Sequence, residues 1–511
     1  MNMQFLTTSR LIAAASFASI GLAFAADLDV SSVKDLTSLQ ALAAKLAHEP
    51  YSAPQKPLDP FFDQLKYDGH RQIRFKEDAA HYGELGNTFR IEFFHPGWTA
   101  KKTVGMYDLA GGAATPIKYD ERLFDWGQLK VPEGTKYPDG FAGFRVLAPD
   151  SFLNRRFEFL VFMGASYFRS VTTDLGYGLS ARGLSVNTIG GEPEEFPDFT
   201  HFWFEKPEPG ARFFKCLALL NGPSVVGAYS FEAMPGKTTE MFVKGMIWLR
   251  KPVKSLGISP FSSMFWFGEN SHPKPYDFRP EVHDSDALQI ELADGTHIWR
   301  PLDNTPGQLR LSLFEAVNMK GFGLAERDRD FKNFEDLEAN YHRRPAVWVE
   351  PLTGFEAGNV TLVEIPTGEE TWDNIVAFYQ PAVMPTADKP LSFSYRLQWL
   401  DQHEPGKLAK VLHTRRGFVM KSDDHEYVID FSKGEAQGDK PADWLPEVAL
   451  KIATGDAKIL DQRVMKNNET GGWRAFFKLD IPEKTNLLEM NCELKDKDKV
   501  VSERWMYQWR R

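Results

Sequence analysis

Two short strings concentrate side chains that could do chemistry. The first, Arg279-Pro280-Glu281-Val282-His283-Asp284-Ser285-Asp286, crowds titratable groups just ahead of the apolar run Leu288 to Leu292. The second, Glu369-Glu370-Thr371-Trp372-Asp373-Asn374, stands directly before Ile375-Val376-Ala377-Phe378-Tyr379. Loops that enter strands are where catalytic groups are displayed. Carboxylates in aromatic surroundings are the equipment of glycoside hydrolysis, in which one acid protonates the leaving oxygen and a second carboxylate activates water. Asp373, between an indole and an apolar strand, has sequence neighbours that could keep a carboxyl protonated. On local grounds alone the favoured reading of each string is a turn feeding a strand, the first an Asx turn.

Other chemistries lose support. The sequence contains no GxxxxGK[ST], no GxGxxG opening a helix, no HExxH and no GxSxG, so ATP, dinucleotide, zinc-protease and α/β-hydrolase mechanisms are disfavoured. Its two cysteines, Cys216 and Cys492, provide neither a CxxC site nor a disulfide framework, and leave open one bridge between them. No metal and no cofactor is expected. A formal charge of -10, dispersed along the chain, argues against a nucleic-acid partner.

The elements that must position these strings are strands. A chain of 511 residues with 13 Trp, 15 Tyr and 40 Phe suits a large aromatic β-core, and flat rings are also platforms for sugars. Period-two alternation marks strands at Phe89 to Phe93, Arg156 to Phe162, Thr239 to Leu249 and His297 to Arg300, separated by Gly- and Pro-rich turns. The fold class is therefore all-β, with antiparallel sheets packed as a large sandwich over residues 26–383. An amphipathic helix is expected over Ser32 to His48, capped by Ser32 and Asp35, and a second helical patch over Phe331 to Tyr341. The proline-punctuated stretch Pro381 to Pro390 reads as a linker. Beyond it, residues 384–511 begin with the alternating Leu391, Phe393, Tyr395, Leu397 and Trp399. About 120 residues with roughly seven short strands suggest an immunoglobulin-like sandwich. Residues 1–25, with Arg10, the run Leu11 to Phe24 and Ala23-Phe24-Ala25, read as an export signal cleaved before Ala26, which implies the periplasm or another extracytoplasmic space.

Longer strings carry a family resemblance. They are Met163-Gly164-Ala165-Ser166-Tyr167-Phe168-Arg169, Tyr177-Gly178-Leu179-Ser180-Ala181-Arg182-Gly183-Leu184, Glu194-Glu195-Phe196-Pro197, Ser262-Ser263-Met264-Phe265-Trp266-Phe267-Gly268, Arg279 to Ser285, Ile298-Trp299-Arg300-Pro301-Leu302 and Asp373-Asn374-Ile375-Val376-Ala377. The chain resembles the glucans biosynthesis protein G and D family of the bacterial periplasm over nearly its whole mature length. The resemblance implies a large β-sandwich, an immunoglobulin-like C-terminal domain and a role in making osmoregulated periplasmic glucans with a β-1,2-linked glucose backbone. Members of the D type resemble inverting endo-β-1,2-glucanases. By the same resemblance Asp373 is the general acid and Asp284 the base, with Asp286 in reserve. Tyr341 touches the glucan, Arg343 and Arg344 hydrogen-bond its hydroxyls, and Trp266, Trp299, Arg300 and His283 add stacking and polar contacts; the two tryptophans read equally as core. Implied partners are the glucan, an inner-membrane glucan synthase and a second copy of the chain. A non-catalytic glucan-binding scaffold stands as the other reading.

Overall fold

Alternation in the sequence becomes strands whose inward residues build one aromatic core. In Thr239–Leu249 the residues Met241, Val243 and Ile247 face that core. The computed structural model describes residues 29–53, 57–271, 276–438 and 440–511; the expected export signal lies outside them. Two sheets enclose the core. A ten-stranded sheet includes Gly143–Leu147, Glu158–Met163, Tyr167–Ser170, Ser180–Arg182, Leu256–Ser263 and Ile375–Pro381 as neighbours in that order. The facing sheet runs through Asp198–Glu205, Phe214–Asn221, Val225–Met234 and Thr239–Leu249. Between them Phe144 and Phe162 meet Phe202 at centroid distances of 4.9 and 5.2 Å with steeply inclined rings, the arrangement that aromatic quadrupoles favour.

The linker assignment is corrected. Leu391–Leu400 pairs antiparallel with Thr239–Leu249 on one side and Ala346–Thr353 on the other, so it lies inside the large sheet. Its Phe393, Tyr395, Leu397 and Trp399 belong to the first core. The stretch Pro381 to Pro390 carries the chain from one sheet to the other, and the first unit continues through Leu400, past the expected 383/384 boundary. Strict alternation announces a half-buried strand but not the sheet it joins. A chain truncated after Val383 lacks this central strand and is expected to be insoluble or to lose its near-ultraviolet circular dichroism. Native spectra from that fragment would contradict the assignment.

Beyond Leu400 a second sandwich forms. Val411–Phe418, His425–Phe431, Gly472–Asp480 and Lys458–Asn467 make a four-stranded sheet in that order, opposed by Glu447–Thr454, Leu487–Asp496 and Arg504–Arg510. In chain order this is first-second-fifth-fourth against third-sixth-seventh, the constant-type immunoglobulin arrangement. His297–Pro301 pairs in parallel with Arg504–Arg510, matching Trp299 to Trp505, so the large sheet runs unbroken into this unit. Cys216 and Cys492 are both free and buried, one in each unit's core, so the bridge left open is not formed.

Two helical expectations are adjusted. The first helix spans Leu36–Ala47, with the capping box made by Asp35 and Ser38 instead of Ser32 and Asp35. It lays Leu39, Ala43 and Leu46 over Trp203, Leu217 and Val226 on the outer face of the large sheet. The patch Phe331 to Tyr341 is not one helix: Phe331–Phe334 ends where Glu335 turns left-handed at φ 53°, and Asp336 Oδ1 accepts the amides of Glu338 and Ala339. Among the described residues no helix is long and apolar enough to cross a membrane.

Candidate active site

Backbone pairing brings the two acidic strings together. Val282–His283 pairs with Phe265–Phe267, and Asp284 N donates to Met264 O at 2.8 Å. The buried Asn374 then ties in the second string: its Oδ1 accepts from Phe265 N at 2.8 Å, and its Nδ2 donates to Phe265 O and Ile365 O, each at 3.0 Å. With every polar atom of that amide engaged, the loop holding Asp373 has one defined position relative to Asp284.

The two carboxyls differ in environment. Asp284 is buried, with Oδ1 2.7 Å from Arg344 Nη1; the pair is ionic without hydrogen-bond alignment. Burial pushes the Asp284 carboxyl up to about 6, Arg344 pulls it back, and Asp373 adds to the rise. Asp373 is exposed and pairs with Arg169, whose Nη2 lies 3.9 Å from Oδ2. The apolar pocket expected from its sequence neighbours is absent, because Trp372 is 64% exposed and turns its indole N–H to Glu369. Arg169 is steadied by its Nε, which donates to Ser180 Oγ at 2.7 Å.

Around this pair the other expected residues divide. Tyr341 stands close by but is buried; its hydroxyl donates to Glu370 Oε2 at 2.8 Å, and its ring lies under the Arg344 guanidinium at 4.6 Å. Glu370 Oε2 also takes Arg279 Nη1 at 2.6 Å, so Glu370 ties the two strings together and Tyr341 braces that link. Trp266 is half-buried beside Arg279, with no acceptor for its indole N–H among the described residues. Arg343 points elsewhere, its Nη2 donating to Asp174 O at 3.1 Å.

Two expected contacts are corrected outright. Trp299 is 3% exposed within the C-terminal core, its face covered by the Arg327 guanidinium at 3.6 Å. Arg300 is equally enclosed, pairing with Glu364 through Nη2 at 2.9 Å. Neither can meet a sugar. Their strand, His297–Pro301, is buried on both faces because the second unit packs on the side that a lone sandwich would leave to solvent.

The sugar contact expected of His283 is corrected as well: enclosed by carboxylates, it is an internal ion. It is 0% exposed, with Nδ1 2.8 Å from Glu326 Oε2 and Nε2 2.9 Å from Glu281 Oε2. Burial alone would discharge it, but the two carboxylates outweigh burial and raise the imidazole well above its ordinary value. Asp286 joins this cluster: burial and Glu326 drive its carboxyl well upward, with His283 opposing. One ligand atom each from His283, Asp286 and Glu326 lie within 4.8 Å of one another. Both ring nitrogens are already engaged, and an imidazolium has no lone pair for a metal, so the donor set suits a proton better than a cation.

A family model described as "Periplasmic glucan biosynthesis protein, MdoG" matches residues 35–509. The chain belongs to this family. It is 39% identical to glucans biosynthesis protein G of Pseudomonas aeruginosa (strain LESB58), over 96% of this chain and 95% of that protein. The identity to glucans biosynthesis protein G of Ralstonia nicotianae is also 39%, covering 96% and 98%. A protein of Shewanella oneidensis described as probable glucans biosynthesis protein D is 38% identical over 92% of this chain and 88% of its own length. This member of the MdoG family thus sits at similar identity to G-named and D-named relatives.

Sequence reasoning on this MdoG-family chain did not single out Asn374, Arg169, Glu370 or Arg279 as site residues. Asn374 and Arg169 lie inside the strings that carried the resemblance, yet nothing in their spacing reveals that they meet Phe265 and Asp373 across the sheet. Glu370 and Arg279 stand in the two acidic strings themselves.

Proposed function

We propose that this periplasmic glucan biosynthesis family member is an inverting endo-β-1,2-glucanase that trims the glucan backbone. The observation that carries the reading is the pairing of a buried carboxyl, Asp284, with an exposed one, Asp373, in one electrostatic field. Asp373, open to solvent, donates the proton to the glycosidic oxygen. Asp284 activates the attacking water: a carboxyl near 6 is mostly ionised at neutral pH yet more basic than an ordinary carboxylate. Asp286 makes a weaker base candidate, since its main neighbours are Glu326, His283, Glu281 and Glu269. Arg169 and Arg344 hold the site's charge balance, and the exposed Trp372 offers a sugar platform. The protein is exported by a signal cleaved before Ala26 and works in the periplasm beside an inner-membrane glucan synthase.

Incubation with linear β-1,2-glucan tests this directly. Shortened chains whose new reducing ends appear by NMR in the inverted anomeric form are expected. No cleavage of any β-1,2-glucan would favour the scaffold reading, in which the protein guides the nascent polymer without cutting it; the G-named and D-named relatives are described only as biosynthesis proteins. The base makes a further demand. Because Asp284 must be ionised to work, kcat/KM is expected to fall as pH drops through about 6. A rate flat down to pH 4.5 would exclude Asp284 as the base.

A further inference from the structure

The outer face of the ten-stranded sheet continues past Asp373 and Arg169. Phe168 and Ala181 face the core, so alternation turns Tyr167 and Arg169 of one strand, and Ser180 and Arg182 of the next, to the opposite face. One rung beyond the Arg169–Ser180 contact, about 7 Å along the strands, Arg182 stands opposite Tyr167. Its guanidinium carbon lies 5.1 Å from the Tyr167 ring centroid and 4.9 Å from that of Phe196.

Arg182 is 2% exposed and forms one ion pair, Nη1 to Glu194 Oε1 at 3.0 Å. Its Nε and Nη2 are buried with no acceptor among the described residues. Leaving charged donors buried and unpaired is costly, and native structures do so where a ligand or other partner supplies the acceptor. The ring that covers them, Phe196, is itself 47% exposed. Phe196 also borders a groove that holds the 42%-exposed Trp98 and the Lys102–Asp198 ion pair.

We propose that Arg182, Tyr167 and Phe196 form a distal sugar subsite, which rests on the glucanase reading and holds the glucan away from the bond that is cut. Rotation of the exposed Phe196 side chain uncovers the guanidinium edge. Sugar hydroxyls then accept from Nε and Nη2, the aromatic faces take the apolar side of a pyranose, and the chain passes on toward Trp98. A subsite here makes long chains bind better than short ones without adding to the chemistry.

Binding is measured by calorimetry in the Asp373→Asn background, with linear β-1,2-glucan and with a β-1,2-linked trisaccharide as probes. Phe196→Ala is expected to weaken binding of the long chain roughly tenfold, with trisaccharide affinity and melting temperature unchanged. Arg182→Lys keeps the charge but not the planar donors, and should weaken the long chain similarly; Phe196→Ala keeps the test open if that buried replacement does not fold. Unchanged long-chain affinity in Phe196→Ala, or an equal loss for the trisaccharide, overturns the subsite. If the wild type cuts no glucan but the long-chain dependence appears, the subsite stands and the glucanase reading falls. If it cuts glucan and the variants bind as the parent does, the reverse holds.

Discussion

Asp373→Asn is expected to lower turnover of linear β-1,2-glucan by roughly 10²- to 10⁴-fold while binding persists, because the amide keeps the shape of the carboxyl but cannot deliver a proton to the leaving oxygen. Asp284→Asn should fail on a comparable scale by leaving the attacking water unactivated. The two variants are separable by stability. The Asp284 carboxyl is raised from 3.8 to about 6 mainly by burial, so its neutral form stabilises the fold below pH 4, and that contribution is lost as pH climbs through 6. Ionising it at pH 7 therefore costs on the order of 3 kcal/mol, and Asp284→Asn should melt higher than wild type at pH 7 and equal to it near pH 4. An inactive but more stable Asp284→Asn would show that loss of activity is chemical and not a folding defect. Hydrolysis near the wild-type rate by Asp373→Asn would remove that residue from the mechanism.

His283→Leu is expected to be the most destabilising single change near the site. It strips the imidazolium from between Glu281 and Glu326, which are 6% and 0% exposed, and leaves buried carboxylates without a counter-charge. Breaking a buried pair in this way typically costs roughly 3–5 kcal/mol, visible as a lower denaturation midpoint at unchanged slope. The pH dependence has a definite sign. Because the folded-state value lies well above 6.5, the clamp's contribution is complete below pH 6.5 and declines as pH rises toward that raised value. A variant as stable as wild type at pH 6 would show that His283 is not holding the cluster together.

Much of the architecture was legible along the chain because its rules are local. Side chains alternate every second residue in a strand, so Thr239–Leu249 could be bounded from its pattern alone. The acidic strings around Asp284 and Asp373, and the family they mark, could likewise be read without coordinates. What local pattern cannot carry is which faces end up covered. Leu391–Leu400 alternates as an edge of a new domain would, yet hydrogen bonding on both sides makes it the interior of the old one. Trp299 and Arg300 resemble sugar contacts until a parallel pairing with the last strand buries them. His283 and Asp284 are adjacent in sequence, but alternation turns them to opposite sides, one into an ion cluster and the other toward Asp373 through nearly ninety intervening residues. Burial and electrostatic coupling depend on distances in space, and a sequence encodes those only through the long-range pairings that the folded sheets complete.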